Sequence, residues 1–309
     1  MSTSDRAPAA VAHGPRTGDD DGRARVARWE RTAGPPHGGG LRLFGSELAV
    51  LFRRWRTWAL LAALAAVPVL IGLAVRFSPG RPPSGRGPAF LDQVTNNGLF
   101  VGVVAMIVSV PLFFPLTVGV VAGDTIAGEA GLGTLRYLLV APTGRLRLLL
   151  VKYAGAAVFC AAAALTVVLS GAVTGLVLFP LGPATLLSGD TVDAGAAFGR
   201  LLLMAGYVTV SLLGLSAVGL FLSTLTTVPV GAMAATVVLA VTAQILDSLD
   251  QLAWLHPWLF SHYWLDLGDL LRSPISWASF GDNAVLQLGY TVVFFGLAWA
   301  RFASKDVLP

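Results

Sequence analysis

An all-α integral membrane protein is the fold class this sequence predicts, and three observations predict it. Only 12% of its 309 residues are charged, against about 25% in a soluble domain. Several apolar runs approach the ~20 residues that carry a helix across a ~30 Å hydrocarbon core, and the mean hydropathy is +0.73. The basic residues gather at the ends of those runs, where they orient a membrane protein. They form no basic face interleaved with aromatics, so no nucleic-acid partner is expected; the lipid bilayer is.

In chain order, residues 1–40 are polar and rich in Gly, Pro and charge. Such a stretch cannot bury enough apolar surface to offset its ordering entropy, which predicts a disordered cytoplasmic tail. It carries no apolar h-region, so a cleavable signal peptide is not expected in it. Residues 41–309 are expected to form one transmembrane domain. It opens with "LRLFGSELAVLFRRWRTW", where Leu41, Phe44, Leu48, Leu51 and Phe52 recur at helical spacing. Arg42, Glu47, Arg53 and Arg54 fall among the other positions. That pattern predicts an interfacial amphipathic helix; a basic start to the first span is the alternative.

Six spans are predicted, at 58–75, 98–122, 153–179, 201–222, 228–246 and 284–300. Pro68, Pro111, Pro115 and Pro229 fall in or beside them, tolerable where neighbouring helices satisfy the freed backbone groups. With both termini inside, the basic residues flanking the spans divide about two to one in favour of the cytoplasmic side, as the positive-inside rule asks. The last external segment, 247–283, carries Trp254, Trp258, Tyr263 and Trp264. These are predicted to hold short helices at headgroup level. Few lysines, many arginines and abundant Ala and Gly point to a bacterial cell membrane.

No catalytic constellation is visible, and no metal site is expected. The histidines are His13, His37, His256 and His262; the last two lie six apart rather than at the i,i+4 spacing of a helical zinc pair. Cys160 is the sole cysteine and reads as a small packed hydrophobe. Without G-x-x-x-x-G-K-[ST] the chain has no phosphate-cradling loop of its own, so no cofactor is expected in it. The spans lack the buried charges that ion-coupled transporters use. Gly119/Gly123 and Gly171/Gly175 are G-x-x-x-G pairs, read as helix packing within the chain.

One polar segment interrupts the apolar runs at 123–152: "GDTIAGEAGLGTLRYLLVAPTGRLRLLLVK". Asp124 and Glu129 carry the second span past the bilayer, and Gly131 and Gly133 allow a bend. Thr134 is placed to cap a short helix, its hydroxyl accepting an orphan N–H. Leu135, Leu138 and Leu139 then share one face. Pro142 ends that helix, and Thr143 caps the next one, which runs through Arg145 and Lys152 into the third span. A leucine ridge of this size is too small for a domain and too apolar to stay wet. It is expected to dock, either on a partner or back on the membrane face.

The order Glu129, Gly133-Thr134-Leu135, Leu138-Leu139, Pro142, Arg145, Lys152 resembles the signature of type-2 ATP-binding-cassette (ABC) exporter permeases. The likeness extends over about 41–301 as elbow helix, six spans and a helical external insertion. It departs at Val151, where a glycine commonly precedes the lysine. The resemblance implies that 123–152 is the coupling element docking on a separate ATPase, with Asp124, Glu129, Gly133, Thr134, Leu135, Leu138, Leu139, Pro142, Arg145 and Lys152 as its residues. It implies a non-enzymatic permease working as a homodimer or heterodimer, with ATP and magnesium on the partner ATPase. Phe113, Phe114, Met233 and Gln244 suit an apolar substrate path and suit packing equally well. A secondary transporter or channel, or a non-transporting membrane or immunity protein, are the other classes left open.

Overall fold

The computed structural model describes residues 39–77, 97–131, 144–182, 184–186 and 188–304. Helix α1 (Gly39–Arg53) is the expected amphipathic helix. Phe44, Leu48, Leu51 and Phe52 are half-buried along one side, and Gly45, Ser46, Val50 and Arg53 are exposed on the other. The chain breaks at Arg54 and continues at once as α2 (Trp55–Phe77). From the first turn of α2, the Thr57 hydroxyl and the Trp58 indole N–H donate to the carbonyls of Leu51 and Phe52, at 2.6 and 2.7 Å. They satisfy two of the four carbonyls that a helix end leaves open, so the corner is bonded in place.

Helices α3 (Phe100–Ser109) and α4 (Phe113–Gly131) replace the single second span that the sequence predicts. They are bent by 58° and pass for a membrane span only as a pair. The cause is Pro111, which has no N–H to continue the ladder and whose ring obstructs it. Its own carbonyl is taken up by the Gln244 amide at 2.8 Å. Helix α5 (Arg145–Leu178) follows, then α6 (Ala194–Ser211) and α7 (Leu213–Leu225) joined at Leu212, α8 (Pro229–Asp247) and α9 (Ala278–Ala303). Among the described residues, α2, α5, the α6–α7 pair, α8 and α9 are each long and apolar enough to cross a membrane. That makes five such helices, or six with the bent pair counted as one. The set fits a multi-pass membrane protein.

The core is centred on α5. Its buried stripe of Phe159, Cys160, Ala163, Ala164, Val167 and Val168 packs against Val101, Ala105 and Met106 of α3 and Leu201 and Met204 of α6. Both G-x-x-x-G pairs are used inside the chain. A Cβ on Gly171 would lie 2.6 Å from the Gly102 Cα, and Gly175 abuts the backbone of Gly98. A Cβ on Gly123 would lie 2.7 Å from the Met233 nitrogen of α8. Cys160 is buried with its Sγ 3.3 Å from the Ser216 hydroxyl.

Between α5 and α6 a small antiparallel ribbon pairs β1 (Ala184–Thr185) with β2 (Thr191–Val192). Gly189 makes its turn at φ +88°, a backbone region that a side chain disfavours. The insertion between α8 and α9 consists of three 3₁₀ helices: Asp250–Leu252, His256–Trp258 and His262–Leu271. It divides the aromatics that the sequence groups together. Trp254 and Trp258 face outward at 73% and 70% exposure, but Trp264 is buried at 2%. Trp264 donates its indole N–H to the Ser211 carbonyl at 3.0 Å, at the break between α6 and α7. The Tyr207 hydroxyl donates to the Tyr263 carbonyl and Gln287 to that of Phe260. The insertion is therefore short helices, as the sequence predicts, and it is bonded to α6 and α9.

Candidate functional site

Helix α4 ends at Gly131 and α5 begins at Arg145, with Gly144 in the cap position. The leucine ridge itself, with Gly133, Thr134, Leu135, Leu138, Leu139, Pro142 and Thr143, lies outside the described residues. What the structure describes are the two stems that carry it. At 34 residues, α5 is about 51 Å long, some 20 Å more than a hydrocarbon core requires. Its only charges, Arg145, Arg147 and Lys152, sit in its first eight residues. The overhang is at this end.

Lys152 points inward. Its side chain is 2% exposed, and its ammonium lies 2.5 Å from Glu129 Oε1 of α4 and 3.0 Å from Glu47 Oε1 of α1. Burying a lone ammonium costs several kcal/mol, and two carboxylates beside it offset that cost. One side chain thus joins the amphipathic helix to both stems. Val151, where the resemblance would have a glycine, is itself buried, so the bulk is accommodated beside the ion pair.

Five residues back along α4, about one and a half turns, Asp124 turns to the corner between α1 and α2. Arg54 donates to its Oδ2 at 2.8 Å and Arg56 approaches the same oxygen at 3.5 Å. Asp124 and Glu129 are five positions apart, about 140° around the helix, so they engage different sides of the corner. Gly128 keeps that approach clear, since a Cβ there would stand 2.7 Å from Asp124 Oδ1.

Ser223, at the end of α7, fixes the same stretch of α4 from behind. Its buried Oγ accepts the N–H groups of Ile126 and Ala127, at 2.9 and 2.8 Å. The Thr125 hydroxyl meanwhile donates to the Ala122 carbonyl at 2.6 Å. Side-chain oxygens entering a helix ladder in this way mark a place where the helix can bend. Arg145 has a different attachment. Its guanidinium donates to the Ala303 carbonyl at 2.6 Å, placing a cation at the C-terminus of α9, where the helix dipole favours it.

Of the ten residues expected in the coupling element, the four that are described all lie at this end of the bundle. Asp124, Glu129 and Lys152 are joined through the corner of α1 and α2, and Arg145 anchors α5 to α9. Sequence reasoning missed Glu47, Arg54 as a partner of Asp124, and Ser223. Glu47 follows Leu43 and Phe44 by four and three positions, so it sits on the apolar side of α1, where a carboxylate asks for a buried cation. That signal was present in the spacing.

Of the four residues suited to a substrate path, Phe113, Phe114 and Gln244 lie near the break between α3 and α4, and Met233 lies apart from them. Phe114 is fully buried in the core and Phe113 packs against it. Gln244 is bound to the Pro111 carbonyl. Met233 lies beside Arg56, with its sulfur 3.7 Å from the guanidinium, eleven residues or about 16 Å down α8 from Gln244.

No curated protein matches the chain. Residues 65–308 match the family described as "Protein of unknown function (DUF2705)", and since the match spans most of the sequence, the chain belongs to that family.

Proposed function

We propose that this chain is the membrane-spanning permease subunit of an ABC exporter, resident in a bacterial cell membrane and driven by a separate ATPase that carries ATP and magnesium. One observation carries the reading: Lys152 ties both stems of the 132–143 segment to the amphipathic helix through Glu129 and Glu47. A force applied to the segment between the stems reaches α1, α4 and α5 together, because moving one alone would strand a buried charge. The bend between α3 and α4 and the Ser223 bonds give α4 places to yield. The segment is then a lever docked on the ATPase by Leu135, Leu138 and Leu139.

In this reading the bent pair counts as one span, which gives six spans, and the charged end faces the cytoplasm with both termini. Two permeases pair to enclose the path. The faces of α2, α8 and α9 are rich in exposed Leu and Val such as Leu70, Val238 and Val285, and they meet lipid or the second subunit. Coupling requires nothing catalytic of the chain itself.

The test is capture from native membranes. An affinity-tagged chain carrying a photo-crosslinking residue at Tyr137 is irradiated, purified and identified by peptide mass spectrometry. The expected product is a crosslink to an ATPase with a phosphate-cradling loop. Crosslinks only to lipid, or to the chain's own α1, would remove the reading.

A further inference from the structure

The end of the bundle away from Lys152 holds a second group of titratable side chains that the proposed function does not use. Asp247 is the last residue of α8, and His256 and His262 open the second and third 3₁₀ helices of the insertion. Six apart in sequence, the two histidines have no helical ligand spacing. The turn at Leu259–Ser261 nevertheless folds them side by side, with ring centroids 5.9 Å apart and planes 37° from parallel. One ligand atom from each of the three residues lies within 4.8 Å of the other two.

Two details prepare these groups for a cation. His256 Nε2 sits 3.1 Å from the Leu249 carbonyl. A hydrogen bond there places the proton on Nε2 and leaves the Nδ1 lone pair for a ligand, which is how outer-shell carbonyls orient metal-binding histidines. His262 Nδ1 is 2.7 Å from Asp247 Oδ1, so carboxylate and imidazole already share one space. All three residues are partly exposed, which gives an ion a way in from water.

We propose that Asp247, His256 and His262 bind one divalent transition-metal ion of the zinc class, with its fourth position open to water or an external ligand. Two imidazoles and a carboxylate are donors suited to zinc, and three protein ligands with one open position form a common zinc arrangement. Bonds of about 2.0–2.1 Å place tetrahedral ligand atoms roughly 3.3 Å apart. The group closes by at most about 1.5 Å to reach that spacing, within reach of side-chain rotation. The bound ion clips the end of α8 to the insertion, which already reaches α6 through Trp264 and α9 through Gln287. The site stands whether or not the chain is a permease.

The experiment uses the full chain in detergent with its affinity tag removed. Zinc chloride is titrated against a fluorescent chelator, and cobalt chloride is followed by visible absorption. Wild type is expected to take up one ion per chain at this site, with cobalt d–d bands of tetrahedral N/O coordination. His256→Asn and His262→Asn should each weaken binding by about tenfold or more and abolish the cobalt bands. Asp247→Asn, which keeps the shape, should weaken it as well. Circular dichroism and melting in metal-free buffer confirm that each variant is folded. Absence of saturable binding to wild type overturns the proposal. So does unchanged affinity in the His256→Asn/His262→Asn double variant, which assigns the ion to the other histidines.

Discussion

Lys152 and Glu129 meet at 2.5 Å, Nζ to Oε1, across the two helix stems that frame the 132–143 segment. The lysine is shared with Glu47 of the amphipathic helix at 3.0 Å. Removing the cation alone should therefore be worse than removing the whole cluster. Lys152→Met leaves two carboxylates facing each other in a poorly hydrated corner, at a cost of about 3–5 kcal/mol. The triple variant Lys152→Met/Glu47→Gln/Glu129→Gln should recover most of that loss, because it leaves no uncompensated charge. Thermal unfolding of the purified chain in detergent checks both. A single Lys152→Met variant that melts with wild type would show that the cluster carries no stability.

The hold of Ser223 on α4 predicts a local effect. Ser223→Ala removes the acceptor of the Ile126 and Ala127 N–H groups, and leaving buried donors without their acceptor costs about 1–3 kcal/mol. Hydrogen exchange should quicken at 122–127 and stay unchanged in α9. Uniform exchange across the chain would show that Ser223 does not fix this stretch.

Glycine contacts give a graded test. Gly123→Ala drives a methyl into the backbone of Met233, and backbone cannot rotate away, so about 1–3 kcal/mol should be lost. Gly231→Ala in α8 meets nothing within 4 Å and should stabilise by about 0.5–1 kcal/mol through helix propensity alone. Melting temperatures should move in opposite directions. A fall for both would mean that α8 tolerates no added methyl, whatever the local space.

Much of this architecture is legible in sequence, and the parts that are not have physical reasons. Helix α1, the long apolar helices and the extension of α4 through Asp124 and Glu129 follow from composition and periodicity, which are local. The bend before α4 was signalled by Pro111 and Pro115, but proline is tolerated in spans, and whether it breaks a helix depends on a neighbour such as Gln244 taking the freed carbonyl. Trp264 looks like Trp254 and Trp258 in composition. Only the tertiary acceptor at Ser211 makes it a core residue. Glu47 and Lys152 are 105 residues apart, and each lies on the buried side of its helix. A pairing between residues so far apart in the chain is set by the packing of α1 against α5, which local periodicity does not carry.

The aromatics of the insertion should divide accordingly. Trp264→Ala removes a fully enclosed ring and a buried hydrogen bond, for a loss of about 3–5 kcal/mol. Trp254→Ala should change stability by no more than about 0.5 kcal/mol. Equal effects in detergent would place both rings in the same environment, contrary to the structure.

Orientation is a separate expectation of the proposed function. In a Cys160→Ala background, single cysteines at Ser84, Gly131, Ser188 and Ser276 report the side of the membrane they face. An impermeant thiol reagent added to intact cells should label all but Gly131→Cys. Labelling of Gly131→Cys alone would invert the topology and place the Lys152 cluster outside.

The lever itself makes the most exacting prediction. If the 132–143 segment docks on an ATPase, Leu138 and Leu139 bury side chains worth roughly 1.5–3 kcal/mol each when fully desolvated. Leu138→Asp/Leu139→Asp removes that gain and asks the interface to bury charge. The variant should reach normal abundance in the membrane, because it leaves the apolar spans unchanged, yet lose co-purification of the ATPase. Glu129→Gln acts one step further in. It leaves the docking surface whole and weakens the bond that passes motion to Lys152 and, through it, to Glu47. The complex should then assemble while ATP turnover no longer responds to transported substrate. Arg53→Gln, an exposed charge outside the Lys152 and Asp124 clusters, should do neither. The two kinds of failure separate docking from transmission, and a Leu138→Asp/Leu139→Asp variant that still retains its ATPase would leave the segment with no part in either.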